Sequence, residues 1–169
     1  MTMFGYNTLG FGAFPNRVTA YRYFLLDITE IDGGSRITIN DFTLLVGGVH
    51  HPAAAMTSNT APSPLVASTS NSIASALPWY AFDNVNGGWT TEDGTTAAWM
   101  KIDLGSGNEI VIDQYLISGP HSGDLNRGCT DWTLEGSNTG SFSGEEEVLH
   151  TVSGGPSWSG SYLERTYTL

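Results

Sequence analysis

The sequence predicts an all-β protein, a sandwich of two antiparallel sheets. Three observations predict it. From Trp99 to Gly105 apolar and polar residues alternate, with Met100, Ile102 and Leu104 on one side and Lys101 and Asp103 on the other, the period of a half-buried strand. Comparable apolar runs recur along the chain between clusters of Gly, Asn, Asp and Ser. The composition is turn-rich, with 21 glycines and only 14% charged residues, and no long stretch has a helical period.

Residues 1–16 carry Phe4, Tyr6, Leu9, Phe11 and Phe14 among Gly, Asn and Ala. This is too glycine-rich for a helix and too apolar for a free tail, and it reads as an extended N-terminal arm. The arm either packs along its own domain or docks on a neighbouring subunit. Residues 17–169 form the sandwich domain. Tyr21–Glu30 predicts a strand with Phe24, Leu26 and Ile28 toward the core, and Asp32-Gly33-Gly34-Ser35 a tight turn into a partner strand, Ile37–Val46. The apolar phase slips between Ile39 and Phe42, which predicts a β-bulge at Asn40-Asp41 that re-aims Asp41. Leu65–Ser70 reads as an edge strand and Ser72–Leu77 as a single helical turn. Glu109–Ile117, Cys129–Gly136, Val148–Val152 and Tyr162–Leu169 complete the strands, with Trp132 and Leu134 joining Ile102 and Leu104 in the core.

The net charge is −11, with Lys101 the single lysine beside five arginines. That composition disfavours nucleic acid and anionic membrane surfaces as partners, and no apolar run is long enough to span a bilayer. Cys129 is alone, so it forms no intrachain disulfide and reads as a small buried hydrophobe. The adjacent His50 and His51 cannot both face one metal from a regular strand and read as an incidental pair. The run Glu145-Glu146-Glu147 reads as a solvated loop. The sequence holds no nucleophile elbow, zinc-protease helix or phosphate-binding glycine loop, and spacing nominates no pair of acids for glycosidase chemistry. The expectation is a protein that binds and does not catalyse.

Two loops carry the candidate binding residues. In the first, Asp83, Asn86 and nearby backbone carbonyls are hard oxygen donors of the kind Ca²⁺ takes; the competing role for Asp83 is to cap its own turn. In the second, His121, Asp124, Asn126 and Arg127 offer the directional hydrogen bonds that sugar hydroxyls require, and Trp79, Tyr80 or Trp89 could supply a stacking face. The competing reading of that loop is a solvated segment with Arg127 paired to Asp124 or Asp131.

Several segments together resemble the discoidin, or coagulation factor V/VIII type C, family, whose galactose-binding-like sandwich also occurs in carbohydrate-binding modules. Ala81-Phe82-Asp83 followed by Trp89 looks like that family's Ala-x-Asp-Gly…Trp loop, with Asn84 where the glycine usually stands and Gly87 where a hydroxyl residue usually stands. Trp99-Met100-Lys101-Ile102-Asp103-Leu104-Gly105 is similar to its Trp-x-x-x-Asp-Leu-Gly strand, and Trp132-Thr133-Leu134-Glu135-Gly136-Ser137-Asn138-Thr139-Gly140 to its Trp-x-x-x-x-Ser-x-Asp-Gly hairpin. Tyr21-Arg22-Tyr23-Phe24-Leu25-Leu26 and Asp41-Phe42-Thr43-Leu44 look like its closing hairpin, which is usually C-terminal and here comes first. The resemblance therefore implies a jelly-roll sandwich, circularly permuted or completed by exchange between subunits. It also implies that Asp41 completes a calcium site with Asp83 and Asn86.

The reading that unites these features is a non-enzymatic structural or attachment protein of a virus particle, a bacteriophage capsid decoration or a tail or fibre component. It would be assembled in the host cytoplasm without a signal peptide, joined to other virion proteins or to its own copies through residues 1–16, and directed at a host surface glycan. The alternative is a carbohydrate-binding module of a secreted glycoside hydrolase.

Overall fold

The computed structural model describes residues 19–169, so the arm assigned to residues 1–16 lies outside the described residues. The domain is a jelly-roll-like sandwich of antiparallel sheets. Its strands are β1 (Tyr23–Ile31), β2 (Thr38–Ile39), β3 (Asp41–Val46), β4 (Val49–His51), β5 (Val66–Thr69), β6 (Trp89–Thr90), β7 (Ala98–Asp103), β8 (Gln114–Ser118), β9 (Cys129–Ser137), β10 (Glu147–Val152) and β11 (Glu164–Thr168). One sheet runs β10-β9-β1-β7-β5, the other β11-β8-β3-β4, and β2 pairs with β6 as a small third ribbon.

The alternation seen in the sequence sets the faces. Phe24, Leu26 and Ile28 of β1 lie opposite Ile102, Met100 and Ala98 of β7 on one side and Gly136, Leu134 and Trp132 of β9 on the other, and all these apolar side chains enter the core. Phe42, Leu44, Tyr115 and Ile117 fill it from the second sheet. Trp132 donates from its indole N–H to the Tyr115 hydroxyl at 2.9 Å, which in turn meets His150 Nδ1 at 2.8 Å, so the polar tips of Trp132 and Tyr115 are partnered. The end of β7 is fixed by Asp103, which takes a paired hydrogen bond from Arg22 at 2.7 and 2.8 Å and the N–H of Gly105 at 2.7 Å.

Several expectations are corrected. β1 and Ile37–Val46 are not hairpin partners: β1 lies between β9 and β7, while β3 lies between β8 and β4 in the opposite sheet. The turn at Asp32–Ser35 therefore carries the chain from one sheet to the other. The phase slip at Asn40-Asp41 is a strand break, not a bulge. Thr38 and Ile39 pair with β6, Asn40 interrupts, and Asp41 starts the pairing with β8. The helical turn expected over Ser72–Leu77 falls instead at Pro78–Phe82, a 3-10 helix with proline at its start, where a missing N–H costs nothing. Regular pairing of β8 starts at Gln114, because Ile110 is drawn away into a bridge with Tyr21.

Candidate functional site

The loops that follow β1, β6, β8 and β10 gather at one end of the sandwich. They are tied to one another. Gly34 and Asp32 donate backbone N–H bonds to the carbonyls of Asn126 and Gly128. Ser35 and Arg36 both reach Asp93, at 2.5 and 3.3 Å. Trp158 is driven into this end from the β10–β11 loop and donates to the Cys129 carbonyl at 3.0 Å. Its ring lies so close over Gly119 and Gly128 that a side chain at either would collide with it.

The first candidate cluster forms where β3 starts. Asn40 is buried, and its side chain works in both directions. Its Nδ2 donates to Asp41 Oδ2 at 2.6 Å and lies 3.4 Å from Asn86 Oδ1, while its Oδ1 accepts the N–H of Gly87 at 2.8 Å. Asn40 thus pins the 83–88 loop against Asp41. Asp83 accepts the N–H of Val85 at 2.8 Å, so it does cap its own turn, and Asn84 has φ 57°, the left-handed conformation in which asparagine replaces glycine with little strain. Asp41, Asp83 and Asn86 are therefore gathered at one place. Burial, the nearby Asp83 and then Glu164 push the Asp41 carboxyl up to about 6. Burial also raises Asp83 above the ordinary carboxylate range. Asp41 Oδ1 is buried and has no hydrogen-bond partner.

This donor set fits a hard divalent cation: carboxylate and amide oxygens, a partnerless carboxylate oxygen, and mutual repulsion that a cation would relieve. Among the described residues no three His, Cys, Asp or Glu side chains converge as a metal set, so Asn86 and backbone carbonyls would have to complete the shell. Asn40 was not a sequence candidate; its signal was the apolar phase slip beside it.

The second loop springs from Ser118, whose carbonyl accepts the Asn40 N–H at 2.9 Å. His121 and Asn126 are exposed, and Asp124 and Arg127 are half-buried. Arg127 is paired to Asp124 at 2.9 Å, as the competing sequence reading has it. The His121 ring stands edge-on to Tyr162, with centroids 5.6 Å apart. The aromatic candidates separate. Trp79 and Tyr80 stack on each other, 3.9 Å between centroids, on the Pro78–Phe82 turn that leads into the 83–88 loop. Trp89 is a correction: it is fully buried and its indole N–H goes to the Asn71 carbonyl at 2.9 Å, so it has no face for a ligand.

Other singled-out residues take structural places. Cys129 is buried, and burial pushes its thiol up to about 12, far from a nucleophile. His50 and His51 are successive residues of β4 and point to opposite faces. The Glu145–Glu147 run is more than a solvated loop. Glu145 accepts from Ser137, Thr139 and Ser141 and from the Phe142 N–H, Glu146 accepts the N–H groups of Gly144 and Glu145, and Glu147 accepts from the Tyr21 hydroxyl. At the opposite end of the sandwich an apolar cavity of about 420 Å³ is lined by His51, Pro52, Pro64, Leu104 and Ile110.

Set against protein-family models, curated proteins and solved structures, the chain matches none of them.

Proposed function

We propose that this chain is a non-catalytic binding module whose sandwich presents a glycan site at its loop end, supported by a calcium ion. Its setting, in this proposal, is the outside of a virus particle, as a bacteriophage capsid decoration or a tail or fibre component. The observation that carries the reading is the Asp41–Asp83–Asn86 cluster. A buried carboxylate oxygen without a partner is costly, and a fold keeps such a group where a ligand completes it. Asp41, Asp83 and Asn86 would hold the ion. The ion would supply charge neutralisation that stiffens the 83–88 loop; His121, Asn126 and the Asp124–Arg127 pair beside it would meet hydroxyl groups. The apolar residues of 1–16 suit attachment to other virion proteins or to further copies of the chain.

Calorimetry tests the ion. Millimolar Ca²⁺ should raise the melting temperature over that in chelator, by mass action on the folded state, and Asp83→Ala should abolish the increment. Identical melting curves in the two buffers would remove the ion from the account. A glycan array, or binding to host cells, tests the ligand: His121→Ala and Arg127→Ala should each weaken binding. The gene neighbourhood separates the settings, with capsid and tail genes supporting the particle and a hydrolase catalytic domain supporting the secreted module.

A further inference from the structure

The outward face of the five-stranded sheet carries a second concavity, far from the calcium cluster in kind and in lining. Its floor is made of cross-strand neighbours. Asp27 lies opposite Trp99, and Leu25 lies opposite both Lys101 and Glu135. These positions alternate with the core residues Phe24, Leu26, Met100 and Leu134, so they share the face turned away from the core. The β9–β10 loop folds back over this face, and Ser141 and Phe142 form the lip of a groove of about 210 Å³.

The lip is held in place. One oxygen of Glu145 accepts the Ser137, Thr139 and Ser141 hydroxyls at 2.7, 2.7 and 3.2 Å and the Phe142 N–H at 3.1 Å. Phe142 is thereby kept at φ 47°, a conformation that bulky residues seldom adopt. Lys101 fastens the loop from the sheet side. Its ammonium donates to the Gly140 carbonyl at 3.0 Å and lies 5.5 Å from the Trp99 ring and 5.4 Å from the Phe142 ring. It has three donors, and the carbonyl uses one. Glu135 accepts from Thr133 through Oε1 at 2.8 Å.

The lining selects among ligands. An apolar peptide would bury the Asp27 carboxylate without a partner, and Glu135 with only its Thr133 bond, which is costly. An anionic polymer would meet those carboxylates on a chain of net charge −11. A pyranose ring has a C–H face that suits an indole and a rim of hydroxyls that suits carboxylates and an ammonium. We propose that this groove binds a neutral hexopyranose unit of a glycan. Trp99 is the stacking face, Phe142 the opposing wall, Asp27 and Glu135 the hydroxyl acceptors, and Lys101 the donor. The inference rests on the glycan-binding reading above and adds a point of contact on the sheet to those on the loops.

Native affinity electrophoresis of the full chain, through gels containing a neutral galactan, glucan or mannan, tests it. Wild type should be retarded in at least one gel. Trp99→Ala should weaken that binding by about tenfold or more, the loss expected when one large apolar contact is removed. Phe142→Gly suits the left-handed backbone, so the domain stays folded, and it should weaken binding as well. Val49→Thr, at an exposed position on the other sheet, should leave the retardation unchanged. Retardation that survives Trp99→Ala and Phe142→Gly but is lost in His121→Ala and Arg127→Ala overturns the groove and leaves the glycan reading standing. Absence of retardation of wild type in all the gels overturns both.

Discussion

Asp41 carries its charge where the fold disfavours it. Its carboxyl is raised from 3.8 to about 6 by burial, Asp83 and Glu164. Between those values the native chain holds a proton that the unfolded chain has lost, so stability falls as pH rises through this window, and the penalty is complete above about pH 6. Asp41→Asn should therefore raise the melting temperature in chelator at pH 7.5, flatten the pH 4–6 slope and abolish the Ca²⁺ increment. A variant that melts below wild type in chelator would contradict this. The break beside Asp41 was legible in the slip of the apolar phase, although the slip reads as a bulge. Asn40, which aims Asp41, was not named as a site residue, because the slip marks the break between strands and not which side chain there turns inward. Trp89 misled for a physical reason: its neighbours are polar, yet a two-residue strand pairs it with Ile39 and a backbone carbonyl satisfies its indole. Trp132 was legible from strict alternation. Trp132→Ala should cost about 3–5 kcal/mol in urea unfolding, from the cavity it leaves, and a loss within error would contradict its buried place.

At the scale of elements, alternation located the strands but not their partners. β1 is followed by a glycine-rich turn, the local signature of a hairpin, yet its partners are β7 and β9, which lie much later in the chain. Pairing is decided by which apolar faces must be buried together, and a turn motif speaks only for its own few residues. The β9–β10 loop shows the same limit with charge. Three successive glutamates look like a solvated face, but hydrogen bonds from three hydroxyls and a backbone N–H hold the Glu145 carboxyl at about 2, below its usual 4.5. A depressed carboxyl contributes stability above 4.5 that is lost as pH falls toward about 2. Glu145→Gln should remove that part of the acid dependence. Hydrogen exchange at Thr139–Gly144 should rise in the variant while exchange in β1 and β7 stays slow. Unchanged exchange in the loop would mean that Glu145 does not organise it.

At the scale of the molecule, the question is whether the early strands complete their own domain or a neighbour's. β1 is the middle strand of its sheet, flanked by β9 and β7, and β3 is flanked by β8 and β4. Removing them would open both sheets and expose their core faces, so they must be supplied by some chain. Within one chain the supply is direct: the Asp32–Asn40 connection crosses the loop end, where Gly34 bonds to Asn126 and Asn40 to Ser118. Exchange between subunits would have to break and remake those same bonds through a hinge, and it would make folding depend on concentration. The sandwich should therefore close on itself, and in the proposed reading it is residues 1–16 that make the contacts between subunits. Tyr21, near the start of the described residues, bridges Ile110 beside the apolar cavity, at the end opposite the Asp41–Asp83–Asn86 cluster. Deleting residues 1–16 should leave a monomer in sedimentation equilibrium. Its melting temperature should be independent of concentration, and its Ca²⁺ increment should equal that of the full chain. A stable oligomer whose dissociation coincides with loss of the β-sheet signal would show instead that β1 and β3 complete a partner.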